Sequence, residues 1–150
     1  MTRVALVLCL ALGASTLLTA KTASAEQNPF VESIGALAAA QLYTTASYLD
    51  VTKEALVRKA FQAKAVRSDL ERLGKMTDNV GRYLLKVVAA PITPEDKAFI
   101  EEGIAIYGLL KTESLALHRY AGTLAAADLT AFDTARAASW ERLKKLLKLP

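Results

Sequence analysis

Apolar side chains recur at helical spacing along most of this chain. In the stretches 30–56, 70–87, 99–117 and 129–147, leucine and other apolar residues repeat every three or four positions. This spacing places them on one face of an α-helix, whereas a strand would alternate apolar and polar residues. The pattern predicts an all-α protein with four helices. Short connections between them favour an antiparallel four-helix bundle.

Two helix starts are marked by a capping residue followed by proline. Asn28-Pro29 and Thr93-Pro94 each place a side chain that can accept from free backbone N–H groups just before a proline at the first helical position. Pro91 predicts the end of the preceding helix. Gly122 predicts the end of the third helix, and Asp128 and Thr130 are the candidate starts for the fourth.

The turn between the first two helices is harder to locate from the pattern. Apolar residues continue one seven-residue register across 49–84, with no glycine or proline before Gly74. Asp50-Val51-Thr52 is one candidate turn. The other lies within 62–68, because Ser68-Asp69-Leu70-Glu71 has the form of a capping box. We favour the later turn, since it makes the two helices similar in length.

Residues 1–25 have the pattern of a cleavable signal peptide. Arg3 precedes an apolar run over 4–12, and Ala23-Ser24-Ala25 supplies the small-x-small pattern of a cleavage site. The run is shorter than the roughly 20 apolar residues that a permanent membrane anchor needs. We therefore expect an exported protein, periplasmic or secreted, whose residues 26–150 form a single helical-bundle domain.

Removal of this leader changes the composition. Cys9 is the only cysteine, so the mature chain cannot form a disulfide. Arg3 and Lys21 leave with the leader, which reduces the basic residues to 17 against 15 acidic ones and the formal net charge from +4 to +2. This excess is too small to indicate a nucleic-acid partner.

Residues for catalysis or metal binding are few. His118 is the only histidine, so a zinc site built from imidazole and thiolate cannot form within one mature chain. Neither Glu102 nor Glu113 is followed by histidine three residues later, as a ferritin-like di-metal site requires. On antiparallel helices Met76 and His118 differ in height by roughly 15 Å, too far apart to ligate one haem. We expect no cofactor, no metal and no catalytic residue.

The C-terminal segment carries the candidate contact residues. A run of cations alternates with leucines just after the single tryptophan, and the candidates are Trp140, Arg142, Lys144, Lys145 and Lys148. A basic amphipathic helix can lie on an anionic membrane. In the alternative interpretation, its apolar stripe completes the bundle core and its cations favour the helix C-terminus.

The sequence therefore predicts a soluble, exported binding or interaction module rather than an enzyme. Its partner would be an unknown protein or a small ligand. The alternative is an envelope- or membrane-associated protein with peripheral membrane contact through the basic C-terminal helix.

Overall fold

A computed structural model describes residues 29–150, which form four α-helices and contain no strand. The helices are α1 (Pro29–Val57), α2 (Ala63–Val88), α3 (Pro94–Thr123) and α4 (Ala126–Leu147). The all-helical prediction with four helices is confirmed for this range. The predicted leader and the capping residue Asn28 lie outside the described residues.

Helix α1 continues through Asp50-Val51-Thr52, so a turn at that position is wrong. Thr52 and Leu56 are buried on its inner face, and continuing the helix keeps both against the core. The connection to α2 occupies 58–62, where Lys59 adopts a left-handed φ of 55°. It overlaps the favoured window only at Gln62, the residue before α2.

The predicted capping box at Ser68 is also wrong, because Ser68 lies inside α2. Helix α2 begins at Ala63 and already buries Val66, one turn before Leu70. The helix thus starts five residues before Ser68, which places Val66 in the core. Gln62, the residue before the helix, makes no side-chain capping hydrogen bond.

The start of α3 is as predicted. The Thr93 side-chain oxygen accepts a hydrogen bond from the Asp96 backbone N–H at 3.1 Å, and Pro94 is the first helical residue. The Thr93 hydroxyl in turn donates to the Asp96 carboxylate at 2.8 Å. This reciprocal pair fixes the position at which the chain enters α3.

The connection between α3 and α4 is shorter than predicted. Gly122 remains helical, and Leu124 in a left-handed conformation (φ 57°) ends α3. Helix α4 begins at Ala126, two residues before Asp128. The Asp128 carboxylate accepts from the Thr123 hydroxyl at 2.8 Å, so it ties the first turn of α4 to the last turn of α3.

Helix α3 lies at the centre, with α2 and α4 running antiparallel to it. Arg67 near the start of α2 contacts Gly122 near the end of α3. At the other end of α4, Arg142 donates to Glu102 in the first half of α3, with N to O distances of 2.6 and 2.7 Å. Consecutive helices therefore alternate in direction.

Helix α1 packs mainly on α3, to which it is parallel, and makes few contacts with α2. Gly35 lies against Phe99, and Gly103 lies against Leu42 seven residues farther along α1. A methyl group at Gly35 would lie 3.4 Å from the Phe99 ring, which is close to ordinary van der Waals contact. A groove remains between α1 and α2.

The apolar core is drawn from all four helices and is centred on α3. Its large side chains with less than 2% of their surface exposed are mostly leucine: Leu42, Leu49, Leu70, Ile106, Leu110, Leu117, Phe132 and Leu143.

Candidate functional site

The predicted C-terminal contact residues fall into two groups. Trp140 is half-buried, with its ring centroid 5.8 Å from that of Tyr43 on α1. The Arg136 guanidinium lies 4.5 Å from the centre of the Trp140 ring, in a cation–π arrangement. Arg142 pairs with Glu102, which lowers the pKa of that carboxyl chiefly through their hydrogen bonds. Trp140 and Arg142 therefore both contact other helices of the chain.

The three lysines of the predicted set, Lys144, Lys145 and Lys148, are exposed. Leu143, which directly follows Arg142, is wholly buried in the core. Helix α4 thus directs Leu143 inward and Lys144 and Lys145 outward, and Lys148 follows its last residue. Arg142 and Lys145 line one depression beside Glu102, so the structure brings these two members of the predicted set together.

The groove between α1 and α2, which we call the α1–α2 groove, has a volume of about 390 Å³. Its lining residues are Gln41, Thr44, Thr45 and Tyr48 from α1, with Asp69, Arg72, Leu73 and Met76 from α2. The surface that it presents is mostly apolar. The groove forms because both helices pack on α3 rather than on each other.

Several polar side chains at the groove, those of Gln41, Asp69 and Arg72, have partners within the chain. The Tyr107 hydroxyl donates to the Gln41 side-chain oxygen at 2.9 Å. Burial raises the pKa of Tyr107 to about 12, so this phenol stays protonated and remains a donor at neutral pH. Arg72 pairs with Asp69. These contacts reduce the polar cost of covering the groove with an apolar partner.

Met76 and His118 lie in different grooves. Met76, with 43% of its surface exposed, lines the α1–α2 groove, whereas His118 lines a depression between α2 and α3 beside Glu71 and Leu115. Among residues 29–150, no three His, Cys, Asp or Glu side chains form a group that could hold a metal ion.

Glu113 of α3 is a buried acid, and the sequence analysis, which considered it only as a metal ligand, did not predict its burial. Its side chain is 0% exposed, and neither carboxyl oxygen has a hydrogen-bond partner in the described part of the chain. Burial raises its pKa to about 7, and the negative charge of Asp50 acts in the same direction. Ser139 and Arg136 oppose this shift only in part. The Ser139 hydroxyl donates to the Arg136 carbonyl at 3.0 Å, and it lowers the pKa of Glu113 only when it rotates toward that carboxyl instead.

An ion pair between α1 and α4 lies close to Glu113. Arg136 donates two hydrogen bonds to the Asp50 carboxylate, and this contact raises the pKa of Arg136. The bidentate geometry satisfies both Asp50 oxygens. Glu113 is therefore the unpaired member of a group of charged residues that joins α1, α3 and α4.

The helical register contains the signal that identifies Glu113. It lies three residues after Leu110 and four before Leu117, both of which are wholly buried. A side chain at those offsets lies on the same helix face. By contrast, the groove depends on the separation of α1 and α2, which no residue pattern in either helix specifies.

Comparison with known proteins assigns no relative: no family model matches the chain, and no curated protein or solved structure matches it. None of the helices within 29–150 combines the length and apolar character needed to cross a membrane.

Proposed function

We propose that this chain is an exported, non-catalytic binding module that holds an apolar helical segment of a partner protein in the α1–α2 groove. In this proposal, residues 26–150 form one antiparallel four-helix bundle domain after cleavage of the leader. The observation that carries the proposal is a groove with a mostly apolar surface, which lies between two helices that make few contacts with each other. Glu113 is completely buried, so a substrate cannot reach its carboxyl, and this favours a binding role over catalysis by that group.

The shape of the groove favours a helix as its occupant. Its lining spans Gln41 to Tyr48 on α1 and Asp69 to Met76 on α2, which is about 10 Å, or two helical turns, on each side. Two apolar side chains at i and i+4 on a partner helix are about 6 Å apart and fit within that length. Met76, at one end of the α2 side of the lining, is flexible and can adjust to different side chains.

A single methyl group can test occupancy of the groove. Met76 is the only methionine after Met1, so a ¹³C-methyl methionine label places one NMR signal in the groove. We expect a helical Ala/Lys/Glu peptide with leucines at i and i+4 to shift this signal saturably, with a dissociation constant of about 1 mM for an unoptimised peptide. The same peptide with both leucines replaced by alanine leaves the signal unchanged.

Two variants of α2 provide the matched comparison. Leu73→Glu places a charge in the groove and abolishes the shift, whereas Leu85→Glu, at an exposed residue outside the groove lining, preserves it. Equal shifts with the leucine and alanine peptides would contradict the proposal. If the groove bound anilinonaphthalene sulfonate saturably but bound neither peptide, we would conclude that its ligand is a small apolar molecule rather than a partner helix.

Export is the other part of the proposal, and its support is the order of Arg3, the apolar run and Ala23-Ser24-Ala25. We expect a mature N-terminus at Glu26 and recovery of the protein from the periplasm or the medium. N-terminal sequencing of the protein from its native host provides the measurement. Intact Met1 on exported protein would show that the leader is not cleaved.

Peripheral membrane contact through α4 is the second candidate function. The exposed Lys144, Lys145 and Lys148 favour it, because cations near an anionic surface each contribute about 1 kcal/mol. The apolar residue Leu143 is buried against the core rather than available to lipid. We therefore rank this function below the groove.

A further inference from the structure

The side of α1 that faces away from α3 presents an uncharged stripe of apolar and small residues. We call it the outer face of α1 and define it by Ser33, Leu37, Ala40, Thr44, Ser47 and Val51. Leu37 and Val51 leave 72% and 63% of their surfaces exposed. The helix carries no charged residue over 33–49, and no other described helix has so long an uncharged run. Such a surface is typical of a contact with another molecule.

The hydroxyl groups on this face find acceptors within α1 itself. Ser33 donates at 2.7 Å and Thr44 at 2.8 Å, each to the backbone carbonyl four residues earlier in the helix. The hydroxyl of Ser47, which is half-buried, can rotate to the same kind of acceptor one turn back. A partner that covers this face therefore does not leave a buried hydroxyl without a hydrogen-bond acceptor.

We propose that this face is a homodimer interface in which the α1 helices of two copies pack antiparallel about Thr44. The face is self-complementary in that arrangement, as a two-fold interface requires. Leu37 and Val51 lie seven residues on either side of Thr44, so Leu37 of each copy meets Val51 of the other. Ala40 and Ser47 are small enough to let the two backbones approach closely.

The charges at the two ends of α1 support the antiparallel direction. Glu32 has no ion-pair partner within residues 29–150, and the Arg58 side chain is 78% exposed with a 3.6 Å contact to Glu54. Antiparallel pairing about Thr44 brings Glu32 of one copy within one helical turn of Arg58 of the other, at both ends of the interface. Parallel pairing would instead place like charges together.

A second copy fits this face better than a membrane does. Helices that lie on anionic lipid carry lysine or arginine beside their apolar face, and 33–49 has neither. From Glu32 to Val57 the helix is about 38 Å long and about 10 Å wide, which gives on the order of 400 Å² of contact per copy. This is below the roughly 800 Å² per partner of a standard interface, so we expect a weak dimer with a dissociation constant in the micromolar range.

Analytical ultracentrifugation of residues 26–150, which contain every residue of the described core, tests the proposal. We expect a monomer–dimer equilibrium between about 1 and about 100 µM, and Leu37→Glu weakens it by at least about tenfold. Leu85→Glu makes the same change at an exposed leucine of α2 and leaves association unchanged. Glu32→Arg and Arg58→Glu each weaken dimerisation, and the double variant restores it.

Cysteine cross-linking tests the direction of pairing. Position 33 of one copy faces position 55 of the other in the antiparallel arrangement, so a mixture of Ser33→Cys and Ala55→Cys chains forms mixed disulfide dimers with oxidised glutathione. Parallel pairing would give dimers of Ser33→Cys chains alone and would overturn the proposal. A monomer throughout the concentration range would also overturn it. Thr44 also lines the edge of the α1–α2 groove, but the two proposals have separate readouts: the Met76 signal reports occupancy of the groove, and ultracentrifugation reports the oligomeric state.

Discussion

Replacing Glu113 with glutamine will stabilise the folded chain at about pH 8 and will have little effect at about pH 4.5. Burial holds the pKa of Glu113 at about 7, above its ordinary value of 4.5. The unfolded chain therefore releases this proton at lower pH than the folded chain does. The shift corresponds to a cost of about 3 kcal/mol at alkaline pH, which an uncharged side chain of similar size avoids.

The sign of this pH dependence follows from the raised pKa. Below about pH 4.5 both states are protonated, and the contribution of Glu113 to stability is fully present. Between about pH 4.5 and about pH 7 the unfolded chain ionises first, so stability falls as pH rises, and above pH 7 this contribution is constant. Urea unfolding monitored by circular dichroism at several pH values measures the change.

Glu141→Gln is the matched control, since Glu141 is exposed on α4. We expect that variant to show the pH dependence of the unmodified chain. If Glu113→Gln destabilised the protein equally at both pH values, the neutral acid would be making a hydrogen bond that the amide cannot replace. That outcome would contradict the interpretation of Glu113 as an unpaired buried acid.

Deletion of the residues after Ser139 will abolish cooperative folding. The deletion removes Leu143, which is wholly buried, together with the Arg142 contact to Glu102 on α3. Loss of one buried leucine side chain alone costs about 2–5 kcal/mol, and a small domain has only about 5–15 kcal/mol in total. We therefore expect circular dichroism to show a broad, non-cooperative thermal transition for the truncated chain.

Deletion of Leu149 and Pro150 alone provides the control, because both lie beyond the end of α4. We expect that shorter deletion to melt cooperatively near the temperature of the intact chain. A chain truncated after Ser139 that also melted there, but no longer floated with anionic vesicles, would assign α4 to membrane contact instead.

The helices could be predicted from sequence because each carries a repeated local signal. Thr93-Pro94 places a cap and a proline next to each other, and the predicted start of α3 is confirmed. The end of α1 carries no such signal, since its connection to α2 has neither glycine nor proline and Lys59 supplies the left-handed residue. Ser68-Asp69-Leu70-Glu71 resembles a cap but lies within α2, which starts before the buried Val66.

The candidate sites were less predictable because they depend on relations between helices. The apolar spacing of Tyr48 and Met76 is compatible with core packing, and only the separation of α1 from α2 leaves them lining a groove. The sequence identified Trp140 and Arg142 as possible external contacts, but Tyr43 and Glu102 engage them within the chain. The burial of Glu113, in contrast, follows from its register with Leu110 and Leu117.

The parallel packing of α1 on α3 has a consequence for the order of folding. Helices α2, α3 and α4 form consecutive hairpins, so closing each contact requires only a short loop, whereas α1 reaches α3 with all of α2 in between. Longer loops have a larger entropic cost of closure. We expect α2–α4 to assemble first and α1 to dock afterwards, which also makes α1 the segment that opens most readily from the native state.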